Sequence, residues 1–478
     1  MSEEELQGHD IDLSRLGPTT SIRLLDTNVL LDDANAMETF DDSWVFVGLH
    51  TLASLNKIID NRNIYPRTFV DASFAIQALS AYESKGDLKK GVPMGKSLLF
   101  VNYDGEDWDG LPEETKKDKK DNTLIGIANG LRKRLCDNGL KQSVIIVSNN
   151  IYLRMQANAC GLIAQPYNQS IRTMEQLYSG IVRVNLNKDE EQSILPDFRR
   201  PNGAISIDEL QKTLHGKKLV PNQFVYLMAG SKRQAIGIYN ENDRKLSYVD
   251  FSAPKLPRSL DKPLVALNPE QACAIYALND IHKKIVSVAG VAGTGKTVTA
   301  YDAGLRQVIG KLYERLVIFK PIREASDAEL CALPGGVDDK MAPWVAPIIA
   351  TLKRLSSKGP KDKNLEQLIK TGVIQIRPIN YARGDSIENS FIIVEEAQNL
   401  TRNEIKLIIT RVGNGSKIVL IGDPTQCDNP RLDFGSTGLT LAIEKFKGHK
   451  LGDDDGVCHV TLIESERSSV AALAAKLL

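Results

Sequence analysis

Short apolar runs recur along this chain, each closed by a polar or glycine-rich turn. Between them lie stretches with apolar residues three and four positions apart. SIRLLDTNVLL (21–31), DSWVFVGLH (42–50) and QSVIIVSNN (142–150) have the strand pattern. FVDASFAIQALSAYE (69–83) and NTLIGIANGLRKRL (122–135) have the helical one. This alternation predicts an α/β domain with a mainly parallel sheet over residues 19–170. Residues 1–18 are predicted to be a mobile tail. The polar stretch GEDWDGLPEETKKDKKDN (105–122) is predicted to be an exposed loop, with its KKDKK run solvated.

The rhythm changes over 171–262. FVYLMAG (224–230) and QAIGIYNENDRKLSYVDF (234–251) predict a small β-rich connector, with NENDRK as a hairpin turn. APKLPRSLDKP (253–263) is predicted to be a linker. From 263 to 478 the α/β pattern returns. KIVSVAG, RLVIFKP, VIQIRPI, SFIIVEEA and SKIVLIGD are apolar runs of the kind found in buried parallel strands, whose carboxyl ends carry chemistry.

Composition narrows this picture. With 478 residues, 42% hydrophobic and 25% charged, the chain suits two to four globular domains and not a disordered, collagenous or coiled-coil protein. Its 60 Lys+Arg balance its 60 Asp+Glu, so total charge advertises neither nucleic acid nor membrane. Taken by region, residues 1–170 carry 18 Lys+Arg against 24 Asp+Glu, whereas 171–262 carry 15 against 11. The connector is therefore the basic stretch and a candidate path for a nucleic-acid backbone. The six cysteines form no CxxC pair, the first residues are acidic and polar, and no apolar run approaches the ~20 residues of a spanning helix. A cytoplasmic location with no membrane partner is the expectation.

The strongest chemical signal is GVAGTGKT at 290–297, which fits G-x-x-x-x-G-K-[ST] between a strand and a helix. Gly290, Gly293 and Gly295 allow successive N–H groups, including that of Thr294, to face a phosphate at a helix N-terminus. Lys296 would neutralise the β- and γ-phosphates, and Thr297 would offer its hydroxyl to Mg²⁺. FIIVEEAQN then supplies Glu395 for the magnesium and Glu396 to orient or deprotonate a water. In KIVLIGDPTQ, Asp423 and Gln426 follow a strand, and the Gln426 amide can both donate to and accept from a γ-phosphate or water.

With these residues in order, the region 263–478 resembles the PhoH-type ATPases, a RecA-like P-loop family related to superfamily 1 helicases. Asn268-Pro269-Glu270-Gln271, Leu333-Pro334-Gly335, Lys340-Met341-Ala342-Pro343-Trp344, Arg383-Gly384, Glu395-Glu396-Ala397-Gln398-Asn399, Thr410-Arg411-Val412-Gly413 and Glu466-Arg467-Ser468 all match its elements. The resemblance implies ATP and Mg²⁺ as cofactors. It gives Gln271 the adenine edge, makes Arg411 and Arg467 candidate arginine fingers, and implies single-stranded RNA as a partner of a ring-forming homo-oligomer. Two departures are Glu395 where the family has Asp, and Lys320-Pro321 where it tends to have Arg-Pro.

LLDTNVLL at 24–31 resembles the opening strand of a PIN domain, a nuclease fold that gathers carboxylates around Mg²⁺ or Mn²⁺. Asp26 and Asp121 match two of its acidic positions. Ala53-Ser54 and Asn149-Asn150 stand where further acids belong, with Asp32, Asp33 and Asp118 as neighbouring substitutes. Asp26 can equally cap the helix that follows it. The sequence thus predicts a PIN-like α/β/α domain, a β-rich connector and a RecA-like ATPase domain. It leaves open an RNA motor with a nuclease, a motor with a non-cleaving PIN-like module, and a nucleotide-dependent scaffold.

Overall fold

The computed structural model describes residues 12–61, 68–101, 105–120, 122–167, 173–210, 213–214, 217–249, 264–321, 337–356, 363–379, 386–429, 432–452 and 456–465. The chain divides into two compact units, Met1–Ser170 with Pro430–Ser436, and Ile171–Asn429 with Thr437–Leu478.

The first unit is built on strands β1 (Ser21–Leu25), β2 (Ser43–Val47), β3 (Val92–Met94), β4 (Ser97–Val101), β5 (Val144–Val147) and β6 (Ile163–Gln165), in the order β3-β4-β2-β1-β5-β6. Only β3 runs antiparallel to its neighbour. Helices α1 (Thr27–Asp32), α2 (Leu49–Asp60), α3 (Thr68–Glu83), α4 (Glu113–Lys117), α5 (Thr123–Asp137) and α6 (Ile151–Ala159) connect them. Every residue of β2 is buried, because both faces of the sheet are covered. Trp44 and Phe46 pack with Leu124 and Ile127 of α5 on one face. Val45 and Val47 pack with Ala72 and Leu79 of α3 on the other. This is the expected α/β/α layering.

Two local expectations change. Residues 12–18 are packed and not loose, with Leu13 and Leu16 lying against the core and the Gln142 amide donating to the Gly17 carbonyl. Residues 1–11 of the predicted tail lie outside the described residues. The polar stretch 105–122 is not a simple exposed loop: it forms α4 and buries Leu111 and Thr115.

In the second unit, β7 (Ile181–Asn185), β8 (Ala204–Ser206), β9 (Phe224–Ala229), β10 (Lys232–Asn240) and β11 (Lys245–Tyr248) form a sheet in the order β7-β9-β10-β11-β8. NENDRK turns from β10 to β11. Helix α7 (Lys188–Phe198), started by an Asn187/Glu190 capping box, interrupts the β-rich stretch. The predicted linker falls mostly outside the described residues. The faces of this sheet go to different places. Val225, Leu227 and Leu246 pack with Leu195 and Phe198 of α7. Phe224, Tyr226, Ile236 and Ile238 instead enter one core with the strands that follow.

Those strands are β12 (Ile285–Gly290), β13 (Arg315–Lys320), β14 (Ile374–Pro378), β15 (Ser390–Val394), β16 (Lys417–Gly422) and β17 (Val457–Leu462). They form an all-parallel sheet ordered β14-β13-β15-β16-β12-β17. Helix α8 (Pro269–Asn279) starts where the Asn268 side chain accepts from the Gln271 N–H, with proline at the first helical position. Helix α9 (Lys296–Ile309) lies across β13 and β15. A Cβ at Gly304 would meet Leu316 Cδ1 at 2.8 Å and Phe391 Cδ1 at 2.9 Å, so the absence of a side chain permits this approach.

Candidate active site at the strand ends

The glycine-rich loop leaves β12 at Gly290 and enters α9 through Gly295, whose φ of 92° is a left-handed value that glycine adopts freely. A Cβ at Gly290 would stand 2.4 Å from the Leu462 carbonyl oxygen, so β17 presses directly on the loop. Lys296 is the first residue of α9, and its Nζ donates to the Gly290 and Val291 carbonyls at 2.6 and 2.9 Å. Thr294 is fully buried, with its hydroxyl donating to the Val291 carbonyl, while Thr297 is half-buried in the first turn of α9.

Gln271 is buried beneath this loop, and its amide is committed at both ends. Its Nε2 donates to the Thr294 carbonyl at 3.0 Å, and its Oε1 accepts from the Leu267 N–H at 2.9 Å. In this structure it braces the phosphate loop.

The acidic pair follows β15. Glu395 is buried, its N–H donates to the Phe319 carbonyl, and its Oε2 lies 3.6 Å from Lys320 Nζ at the end of β13. Burial holds its carboxyl above the usual carboxylate range, against the opposing pull of Tyr301 and Lys320. Glu396 is exposed and has left-handed backbone, φ 46°, a strained conformation of the kind that clusters at functional sites. Its carboxylate accepts from Gln398 Nε2 at 2.7 Å. The same Nε2 donates to the Gln426 carbonyl at 3.1 Å, and Gln398 Oε1 accepts from the Asp423 N–H at 3.0 Å. Gln398 thus ties the acidic pair to the turn after β16. Spacing alone does not single it out, because two of its three partners lie 25 and 28 residues away. Lys320, Glu396, Gln398, Thr425 and Gln426 line an open cleft of about 460 Å³.

The donor set fits a nucleotide with Mg²⁺. Glu395 Oε2 and Asp423 Oδ2 are buried oxygens without a hydrogen-bond donor, and they belong to turns at the ends of adjacent strands beside the loop strand. An unpaired buried carboxylate oxygen is costly unless a cation or water completes it.

Arg411 lies half-buried where its carbonyl accepts from the Ile387 N–H, just before β15 begins. The phosphate loop is at the other end of the sheet, a strand length of ~20 Å away for six residues. The Arg411 backbone thus stands at the opposite end of the sheet from the cradle of its own chain. Arg467, Arg383-Gly384, Leu333-Pro334-Gly335 and the side chains of Lys340 to Trp344 lie outside the described residues.

In the first unit, Asp26 follows β1 and is satisfied by neutral groups. It accepts from the Thr27 N–H at 2.6 Å, Asn28 Nδ2 at 2.7 Å and the Ser148 hydroxyl at 2.5 Å, and so caps α1. Burial still pushes its carboxyl up. Asn149 Nδ2 donates to Asp32, and the Tyr167 hydroxyl donates to Asp33 at 2.6 Å, so two of the three substitute acids are engaged by neutral donors. Among the described residues no group of three His, Cys, Asp or Glu could hold a metal ion. Asp121 lies outside them.

The parallel sheet, the glycine-lined cradle and the acidic pair define the second unit as a P-loop ATPase. Residues 263–477 match the family model described as PhoH-like protein, and residues 24–168 match that of the PIN domain. Protein PhoH2 of Bacillus subtilis is 32% identical over 471 residues, spanning 96% of this chain and 100% of that one. Protein PhoH2 of Mycolicibacterium smegmatis is 30% identical, spanning 95% of this chain and 96% of that one. Protein PhoH of Escherichia coli K12 is 33% identical over 185 residues, spanning 39% and 50%. The chain belongs to the PhoH2 family, with a PIN domain ahead of a PhoH ATPase domain. Among the described residues no helix is long and apolar enough to cross a membrane.

Proposed function

We propose that this protein is an Mg²⁺-dependent ATPase that moves along or unwinds single-stranded RNA, with its PIN domain holding RNA without cutting it. The observation that supports the motor is the meeting, at the ends of β12, β15 and β16, of the Lys296 cradle, the Glu395–Glu396 pair and the Gln398-braced Asp423–Gln426 turn.

Thr297 and Glu395 would hold Mg²⁺, and the loop N–H groups with Lys296 would hold the phosphates. An ion held there would supply charge neutralisation to the phosphates. To engage a phosphate, Lys296 exchanges its bonds to Gly290 and Val291 for phosphate oxygens. Glu396, exposed at the cleft, orients or deprotonates the attacking water, and Gln398 fixes that carboxylate. Gln426 faces the same cleft and suits the sensing of γ-phosphate or water. A transition-state arginine would come from Arg467, or from Arg411 across a subunit interface in a ring.

The basic connector supports the choice of a nucleic-acid partner. The neutral surroundings of Asp26, with Asn149 tied to Asp32, support the non-cleaving PIN domain. The test is ATP hydrolysis with and without single-stranded RNA, sampled for cleavage in Mg²⁺ and Mn²⁺. RNA should raise the rate, Lys296→Ala should abolish hydrolysis, and RNA should stay intact. A rate indifferent to RNA points to the scaffold reading. Cleavage that is lost in Asp26→Asn would overturn the non-cleaving PIN domain.

A further inference from the structure

The acid that follows β15 is a glutamate, whose side chain is one methylene longer than an aspartate's. A longer side chain has one more torsion to fix before its carboxylate can serve a metal. Something must remove that freedom, and α9 carries the candidate.

Tyr301 is fully buried on α9, and its hydroxyl has no hydrogen-bond partner. It stands four residues after Thr297 and three before Gly304, so the three share one helix face. Gly304 touches Phe391, the second residue of β15, which fixes this face against the strand that ends at Glu395. Helical Cα–Cβ bonds tilt toward the helix N-terminus, which here means toward the carboxyl ends of the strands. The phenol therefore extends along β15 toward Glu395. Burial and the neighbouring Glu395 carboxylate both push its hydroxyl well above the ordinary tyrosine range. Glu395 Oε2 is itself buried without a hydrogen-bond donor, and the ammonium of Lys320 stands 3.6 Å from it.

The buried Tyr301 hydroxyl, a donor without an acceptor, and the buried Glu395 Oε2, an acceptor whose one neighbouring cation is Lys320, are thus neighbours in the same interior. We propose that Tyr301 is a positioning residue of the ATP site, whose hydroxyl donates to the Glu395 carboxylate and, with Lys320, holds the longer acid where it and Thr297 can share one Mg²⁺. Thr297 and Tyr301 then act from successive turns of the same helix. Thr297 would offer its hydroxyl to the ion, and Tyr301 would steady the acid. An aspartate at this position would end one methylene short of the phenol. The tyrosine and the glutamate thus form a matched pair. This inference rests on the ATP-site reading above.

The test measures equilibrium binding of a fluorescent ADP analogue to the full-length protein with Mg²⁺ and in excess chelator, for wild type, Tyr301→Phe, Glu395→Asp and the double variant. Wild type should bind more tightly with Mg²⁺; failure to do so would sink the ATP-site reading itself and the inference with it. Tyr301→Phe should leave chelator binding unchanged and cut the Mg²⁺-dependent gain about tenfold, as expected for a lost hydrogen bond to a charged group. In the Glu395→Asp background the same change should add less than about twofold, the signature of a coupled pair. The thermal transition of Tyr301→Phe is followed alongside. A Mg²⁺-dependent gain equal to that of wild type would overturn the proposal. So would an equal loss of binding in chelator, which marks damage to α9 packing, or full additivity of the two substitutions.

Discussion

Replacing Gln398 by leucine isolates the hub that joins the acidic pair to the turn after β16. The side chain is buried, and leucine keeps an apolar body there while deleting three hydrogen bonds. The bonds to the Asp423 N–H and the Gln426 carbonyl are neutral and hold a turn. Together they contribute about 2 kcal/mol to stability, by the usual ~1 kcal/mol each. The bond to Glu396 has a charged acceptor and contributes about 2 kcal/mol. If it orients the base only when the water attacks, that amount appears in the barrier, as a fall in kcat of about 30-fold. The phosphate loop is untouched, so KM for ATP should change less than about threefold. The assay is steady-state phosphate release at saturating Mg²⁺ and ATP, with calorimetric unfolding alongside. A Gln398→Leu protein with kcat within a factor of two of wild type would refute the reasoning. So would one that loses only KM.

Gly290→Ala should weaken nucleotide binding at least about tenfold, read by fluorescent-nucleotide titration, because its Cβ would sit 2.4 Å from the Leu462 carbonyl and force loop or strand to move. His459 is buried between the Ser287 and Thr461 hydroxyls, and burial pushes its imidazole down to about 3. The unfolded chain therefore binds a proton between pH 6.5 and 3 that the fold refuses. Stability is complete above pH 6.5 and falls with acidification, by about 2 kcal/mol at pH 5. In His459→Gln the gap between the unfolding temperatures at pH 7 and pH 5 should shrink. Lys417 Nζ donates to the carbonyls of Ala277, Leu278 and Asp280 at the end of α8. Lys417→Met should lower stability by about 3 kcal/mol, seen as an earlier urea midpoint.

The phosphate cradle was legible in the sequence because its whole chemistry lies within eight consecutive residues between a strand and a helix. The strands ending in Glu395 and Asp423 were legible for the same reason, an apolar run closed by acids. The role of Gln398 was not, since its meaning depends on a turn that only the sheet order brings beside it. Strand β17 was hidden because VCHVTL mixes His459 and Thr461 into a fully buried run, which is tolerable only because the two bond each other and Ser287. Helix α7 was hidden by Pro196 inside it. The fate of Asp26 turned on Asn28 and Ser148, neutral residues that a search for acids passes over. Arg411 matched its motif, yet motif order carries no information about which end of a strand a residue occupies.

The divided faces of the connector sheet determine where the molecule can be cut. Phe224, Tyr226, Ile236 and Ile238 share their burial with Val286, Val288 and Ala274 of the ATPase sheet and α8. A fragment starting at residue 263 would keep every catalytic element and still present that apolar seam to water. It should aggregate, whereas one starting near residue 173 should remain monodisperse. The same seam makes α8 a shared wall. Its N-terminal end braces the phosphate loop through Gln271, and its flank carries the connector. A tilt of that wall on nucleotide exchange would swing the basic sheet as a lever, with the fulcrum at the base of β16 where Lys417 grips the helix end.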